Sequence, residues 1–258
     1  MGEDVTSTVF SREDRQRYRD KVKRNLDVFA RMLRDARFDA EQRSIGLEIE
    51  LNLTEENGQP AMANDEVLEA VADDAFQTEL GQWNIEINIP PERLEPGVFT
   101  GLEDAVRRSL NRADERARTV HAHMMMIGIL PTLGEQHLHV RALSANPRYA
   151  LLNEQIFAAR GEDLQLSING IERLSAYADS IAPEAACTSV QLHQLVHPEH
   201  FAQHWNAAQA IAGIQMAIGA NSPFLFGREL WRETRIALFE QATDTRPDEL
   251  KAQGERPR

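Results

Sequence analysis

Two short stretches of strict alternation constrain this chain more than any other feature of it. From Ser44 to Leu53, the residues Ile45, Leu47, Ile49, Leu51 and Leu53 alternate with Glu48, Glu50 and Asn52. From Gln82 to Ile89, the residues Trp83, Ile85, Ile87 and Ile89 alternate with Asn84, Glu86 and Asn88. Alternation of period two places the two sets on opposite faces of an extended strand. Each stretch therefore predicts a strand with one face to bury and another carrying carboxylates and amides. Carboxylates at i and i+2 lie a few ångströms apart, and like charges that close cost free energy unless a cation or basic group sits between them. An ordinary half-exposed antiparallel strand shows the same pattern, so spacing alone leaves both readings of Glu48 and Glu50 open.

The rest of the chain supplies helices and hairpins around these strands. Ser11 to about Asp39 predicts an amphipathic helix, with Ser11 as N-cap, Asp14 three residues on, and Val22, Leu26, Phe29, Met32 and Leu33 at helical spacing. A turn at Glu56–Pro60 leads to a short helix from Asn64 to Asp73, with Asn64 as its cap. Pro90-Pro91 predicts the end of the second strand. Leu102 to His123 reads as a long charged helix, and Met124 to Leu130 as a central strand. Leu164 to Gly170 alternates and ends in Asn-Gly, a hairpin signal. Ala186 to Val196 holds a further strand, in which Ser189, Gln191 and His193 alternate with Val190 and Leu192. Pro198 to Gly219 reads as a helix, Ala220 to Pro223 as a turn, and Arg228 to Ala242 as a helix again. Hairpins interspersed with long helices predict an α+β fold, an antiparallel sheet flanked by long helices. Residues 1–243 are expected to form one domain, with 244–258 a polar linker or tail.

Composition narrows the partners. With 258 residues and 42% hydrophobic content the chain can bury a sizeable core. A net charge of −13 argues against nucleic acid and anionic membrane, which both need a basic surface. It leaves small molecules, including a nucleotide triphosphate bridged to carboxylates by divalent cations. No apolar run reaches membrane-spanning length, Met1 to Asp4 is acidic rather than signal-like, and Cys187 is a single cysteine; together these predict a cytoplasmic protein. Glu86 adds a third carboxylate of the same kind, and Glu79 a fourth if the segment before it pairs alongside. Such hard oxygen ligands suit magnesium or manganese. No Gly-x-x-x-x-Gly-Lys-Ser/Thr phosphate loop occurs.

Sharper alternatives are weaker. His193/His197 and His200/His204 are spaced four apart, and His121/His123 and His137/His139 two apart, but no His-Glu-x-x-His motif appears. A zinc-dependent hydrolase, which needs three converging ligands, is therefore a minor reading. Cys187 reads as a small buried residue rather than a nucleophile, Met124 to Met126 as core, and burial is the ordinary fate of Trp83, Trp205 and Trp231.

Six segments in order carry a resemblance. Gly46-Leu47-Glu48-Ile49-Glu50 and Glu79 to Pro91 resemble the first two strand motifs of glutamate–cysteine ligases and related carboxylate–amine ligases. Gly128 to Thr132, Arg148-Tyr149, Thr188 to His193, and Ala220 to Phe224 followed by Arg228, Trp231, Arg232 and Arg235 resemble later ones. The resemblance implies a fold similar to glutamine synthetase and the guanidino kinases, and an ATP-dependent ligase joining the γ-carboxylate of glutamate to an amine, expected to be cysteine, through an acyl phosphate. It implies that Glu48, Glu50, Glu79, Glu86 and His193 hold magnesium or manganese. Gln191 and Asn221 would contact nucleotide, Arg148 and Tyr149 substrate, and Arg232 or Arg235 the transferring phosphoryl group. Some relatives carry histidine where Gln191 aligns, so Gln191 and His193 are alternatives as the ligand on that strand. Family members usually continue into a further acidic strand, so the chain is expected to be the front part of such an enzyme. The alternative is a non-catalytic nucleotide-binding or regulatory module. An exposed sheet edge would favour self-association, leaving a homo-oligomer open.

Overall fold

The computed structural model describes residues 9–38 and 42–254. The expected helix end at Asp39 and the last residues of the expected tail lie outside them.

The two alternating stretches pair with each other. Strand β1 (Ser44–Thr54) runs antiparallel to β3 (Asn84–Arg93), with Glu48 opposite Asn88, Ile49 opposite Ile87, Glu50 opposite Glu86 and Asn52 opposite Asn84. Strand β2 (Phe76–Thr78) lines the outer side of β3 and sets Gln77 opposite Glu86. Two short strands share the other side of β1: β7 (Val190–Gln194) pairs with its first half and β4 (His123–Met125) with its end. Helices α2 (Asn64–Val71) and α3 (Val98–Ala117) belong to the apolar face, where Leu47, Ile49, Leu51, Leu53, Ile85 and Ile87 are buried with Val67, Phe76 and Leu102. Each fully buried Leu or Ile contributes roughly 1.5–3 kcal/mol. A one-residue slip would turn all of them outward, so this face holds the register against the repulsion of Glu50 and Glu86 on the other.

A second core forms beside the first. The hairpin of β5 (Leu164–Asn169) and β6 (Arg173–Ala178) packs with α5 (Ala182–Ala185) and α7 (Thr234–Ala242) around Trp83, Ile129, Leu166, Ile168, Ile181 and Leu238. Helix α4 (Pro147–Arg160) buries Tyr149 and Arg160, while α1 (Arg12–Arg34) and α6 (Phe201–Gly219) bury no residue. The reciprocal Ser11–Asp14 cap on α1 is present, yet Val22, Leu26, Phe29 and Leu33 stay exposed.

Several expectations are corrected. Pro90-Pro91 does not stop β3, which runs on to Arg93. The β1 register slips between Ile45 and Leu47 opposite the prolines, and Gly46 lies so close that an added Cβ would meet Ile89 O at 3.3 Å and Pro91 Cα at 3.4 Å. β2 has already ended there, so the missing proline N–H groups fall at an edge and a bulge, where strands tolerate them. Asn64 is the first helical residue of α2 rather than its cap; its buried amide donates to Ser144 Oγ at 2.7 Å. The expected strand Met124–Leu130 is cut to His123–Met125, because the chain then turns to side-chain partners: Asn52 Nδ2 donates to Ile127 O and Gly128 N donates to Asn221 Oδ1. Met125 and Met126 are accordingly exposed rather than core, as are Trp205 and Trp231. The long helix ends at Ala117, and His121 turns left-handed at φ 62°. The expected helix at Arg228 begins only at Thr234, after a miniature hairpin of β8 (Phe224–Leu225) and β9 (Arg228–Glu229) whose loop, Phe226-Gly227, takes positive φ at both residues. Part of the polar tail is helical, α8 (Asp248–Ala252).

Candidate active site

The polar face of the sheet opens onto a cleft of about 540 Å³ lined by Glu50, Glu79 and Asn84 from the sheet side, Glu184 and Ala185 from α5, Ser189 and Gln191 at β7, and Arg235, Ile236 and Phe239 from α7. Alternation alone carries the sheet residues there. Glu50 follows from β1, Gln191 faces Glu48 across the β1–β7 pair, and Glu79 follows Gln77 on the face that β2 shares with Glu86.

Electrostatics concentrates on the carboxylates. Glu50 accepts from Ser189 N at 2.7 Å, Ser189 Oγ at 3.1 Å and Gln191 Nε2 at 3.4 Å. Burial still pushes its carboxyl above the usual range, with the Glu86 charge adding to the rise. Glu79 accepts from Leu80 N at 3.0 Å and is pushed up to about 7, by burial first and then by the Glu50 charge. Glu184 is raised too, by burial and Glu50. Glu86 is 5% exposed and accepts from Gln77 Nε2 at 2.6 Å and Asn88 Nδ2 at 2.8 Å. Arg235 is the cleft's cation. It donates to Glu233 at 2.5 and 2.6 Å and to Thr188 O at 2.7 Å. Burial works to raise Glu233, but the hydrogen bonds from Arg235 and Ser222 outweigh it and hold this carboxyl below its ordinary value.

The five expected metal ligands therefore divide. Glu50 and Glu79 line the main cleft, and Glu86 is buried opposite Glu50. Glu48 and His193, 3.5 Å apart, line a neighbouring groove with Asn88 and Pro91. Among the described residues no three His, Cys, Asp or Glu side chains converge to hold a metal ion. In chemical kind the donor set fits a hard divalent cation: carboxylate oxygens, two of them opposed across a strand pair, with burial first and neighbouring charge second raising the proton affinity of Glu50 and Glu79. Gln191 lies in the cleft and His193 outside it.

The remaining expected residues scatter. Tyr149 is buried, donates to Thr78 O at 3.0 Å and stacks beneath the Arg148 guanidinium at 5.3 Å, so this pair braces the chain beside Glu79. Asn221 is outside the cleft lining and accepts from Gly128 N at 3.0 Å. Arg232 is exposed and does not line the cleft. Cys187 lines it, and burial pushes its thiol far up, away from a thiolate. Sequence reasoning missed Glu184 and Glu233. Glu233 sits two residues before Arg235 and was legible as its partner, whereas nothing local marks Glu184, whose approach to Glu50 is a long-range contact.

An antiparallel sheet whose carboxylate face floors an acidic cleft defines a site for cationic or cation-bridged ligands. The chain belongs to glutamate-cysteine ligase family 2, whose model matches residues 44–255. No curated protein sequence matches it. Among solved structures it is similar to a bifunctional glutathione synthetase from Pasteurella multocida, at 15% identity and a TM-score of 0.36, over 64% of this chain and 19% of that one. A likeness of that size carries no argument about fold or chemistry. No described helix is long and apolar enough to cross a membrane.

Proposed function

We propose that this chain carries the acidic half-site of an ATP-dependent carboxylate–amine ligase that joins the γ-carboxylate of glutamate to an amine, within a glutamine synthetase-like domain spanning residues 1–243. The observation that carries the reading is the register of Glu50 against Glu86, with Glu79 beside them in the cleft, in a member of this family. In this reading the terminal phosphoryl group of ATP passes to the γ-carboxylate, and the amine attacks the resulting acyl phosphate and releases phosphate. Glu50, Glu79 and Glu86 would hold a magnesium or manganese ion, with Glu48 and His193 serving a second position one strand-step away. Such an ion, when bound, would neutralise negative charge on the phosphates. The protein's part is then to hold the reactants in line and exclude water. Gln191 supports Glu50 rather than acting as a ligand, and Arg235, held by Glu233, is the residue placed to face developing negative charge. Arg148, beside Glu79, is the donor available for a glutamate carboxylate. Cysteine as the acceptor rests on the family's name alone.

Isothermal titration of the chain with magnesium-ATP, beside the Glu48→Gln/Glu50→Gln double variant, tests the reading. Magnesium-dependent binding that the double variant loses is the expected result. Binding indifferent to magnesium, or unchanged in the variant, would overturn the placement of the metal on this strand.

A further inference from the structure

Two long helices carry apolar stripes that the described chain leaves uncovered. On α1, Tyr18, Val22, Leu26, Phe29 and Leu33 recur every three or four residues, so they share one face about 22 Å long. All five are exposed, and the helix buries no residue. On α6, Ile211, Ile214 and Ile218 form a second stripe and are exposed too, Ile218 at 82%. Met216 lines the cleft, and helical spacing puts the isoleucines on the opposite side of α6. The two helices differ in charge. α1 holds nine of the chain's 28 basic residues and four of its 41 acidic ones, so it is positive by five while the remainder is negative by eighteen. α6 contains no Asp, Glu, Lys or Arg.

A basic helix with one apolar stripe suits a surface that is apolar and uncharged at the contact, on a body that is acidic overall. Every copy of this chain carries both halves of that match. Pairing α1 with α1 would set positive against positive, and pairing α6 with α6 would leave both α1 stripes in water. We propose that the chain forms a two-fold dimer in which α1 of each copy lays its apolar stripe on the isoleucine stripe of α6 of the other. Such a contact is isologous and closes on itself. It covers eight large apolar side chains on each copy; at about 100 Å² apiece this reaches the roughly 800 Å² per partner of a standard stable complex. One contact without its reciprocal would give only half, so the area requires the closed pair. Anionic membranes also receive basic amphipathic helices, but the acidic body attached to α1 is repelled by such a surface and attracts α1 of a second copy. The isoleucine stripe faces away from the cleft, so the dimer leaves the cleft open and does not depend on the ligase reading.

Sedimentation equilibrium of the chain, alone and as the variants Leu26→Asp and Ile214→Asp, tests the arrangement. The unaltered chain should be a reversible dimer, and each variant should weaken it by about tenfold or more, since each sets a carboxylate into the apolar contact. Both positions are exposed on helices that bury no residue, so circular dichroism should show both variants folded. Loss of the dimer in only one variant would mean that like helices pair, and would overturn the exchange. A dimer that survives both would place the contact elsewhere, and a chain still monomeric at about 100 µM, a hundredfold above a micromolar Kd, would sink the proposal outright. Salt supplies a measurement that needs no variant. Raising it from about 0.05 M to about 0.5 M should weaken the dimer several-fold, because the attraction of α1 to the acidic body is screened; a dimer indifferent to salt would refute the charge match. Pelleting of a monomeric chain with phosphatidylserine vesicles would assign α1 to a membrane surface and overturn the dimer as well.

Discussion

Replacing Glu79 by glutamine should make the chain more stable in alkali and leave it nearly unchanged in acid. Glu79 titrates at about 7 in the folded chain against an ordinary 4.5, because burial and the Glu50 charge both oppose its ionisation. Its folded proton affinity is raised, so its favourable contribution is complete below pH 4.5 and is lost as pH rises through 7. At about 1.4 kcal/mol for each tenfold change in proton affinity, the loss reaches about 3 kcal/mol by pH 8. In Glu79→Gln the new amide keeps the shape and can still accept from Leu80 N, but it carries no charge to desolvate. Urea unfolding followed at pH 5 and pH 8 measures the effect. Subtracting the variant from the parent chain removes the similar drift that Glu50 and Glu184 contribute to both. The expected difference is a variant gain of about 3 kcal/mol at pH 8 that shrinks several-fold at pH 5. A gain independent of pH, or a variant less stable than its parent at pH 8, would refute the electrostatic reasoning. Magnesium at millimolar concentration should narrow the gap at pH 8, because an ion bound only by the folded parent chain stabilises it by mass action.

Two further perturbations probe the framework around the cleft. Gly128→Ala drives a methyl group to 2.4 Å from Asn221 Oδ1 and 2.9 Å from Arg235 Cζ, so thermal and chemical unfolding should report a loss of about 1–3 kcal/mol; a neutral substitution would mean that the Gly128–Asn221 approach is looser than described. Arg160, 2% exposed, donates to Asp244 O at 2.8 Å and Asp163 O at 3.3 Å, clamping the end of the chain. Arg160→Ala should speed amide exchange from Asp244 to Ala252 well before global unfolding, and unchanged protection there would show that the clamp does not hold this segment.

How much of this was legible from local signals depends on the distance over which each signal acts. The pairing face of β1 and β3, the shared face of Glu48, Glu50, Glu86, Gln191 and His193, and the α+β character all follow from alternation, a property of each segment alone. The same local reasoning had the means to find α4, since Asn146 caps it, Pro147 opens it and Gly161 closes it at φ 78°. It also had the means to find the Phe226-Gly227 hairpin. Where it failed, a partner far along the chain had overruled it. An apolar run at Met124–Leu130 predicts a strand only until Asn52 and Asn221 claim its backbone, and two prolines end a strand only where a neighbour needs their donors.

The sequence by itself determined which side chains share a face, because that is set by backbone geometry over a few residues. Tertiary structure alone decided which of those side chains meet. The sheet registers send Glu50 and Glu79 to one opening and Glu48 and His193 to another and bury Glu86 opposite Glu50, the loop before β7 brings Ser189 onto Glu50, and α5 carries Glu184 into the same cleft. Proton affinities arise from burial and from charges brought together across more than a hundred residues, and no local pattern encodes those distances.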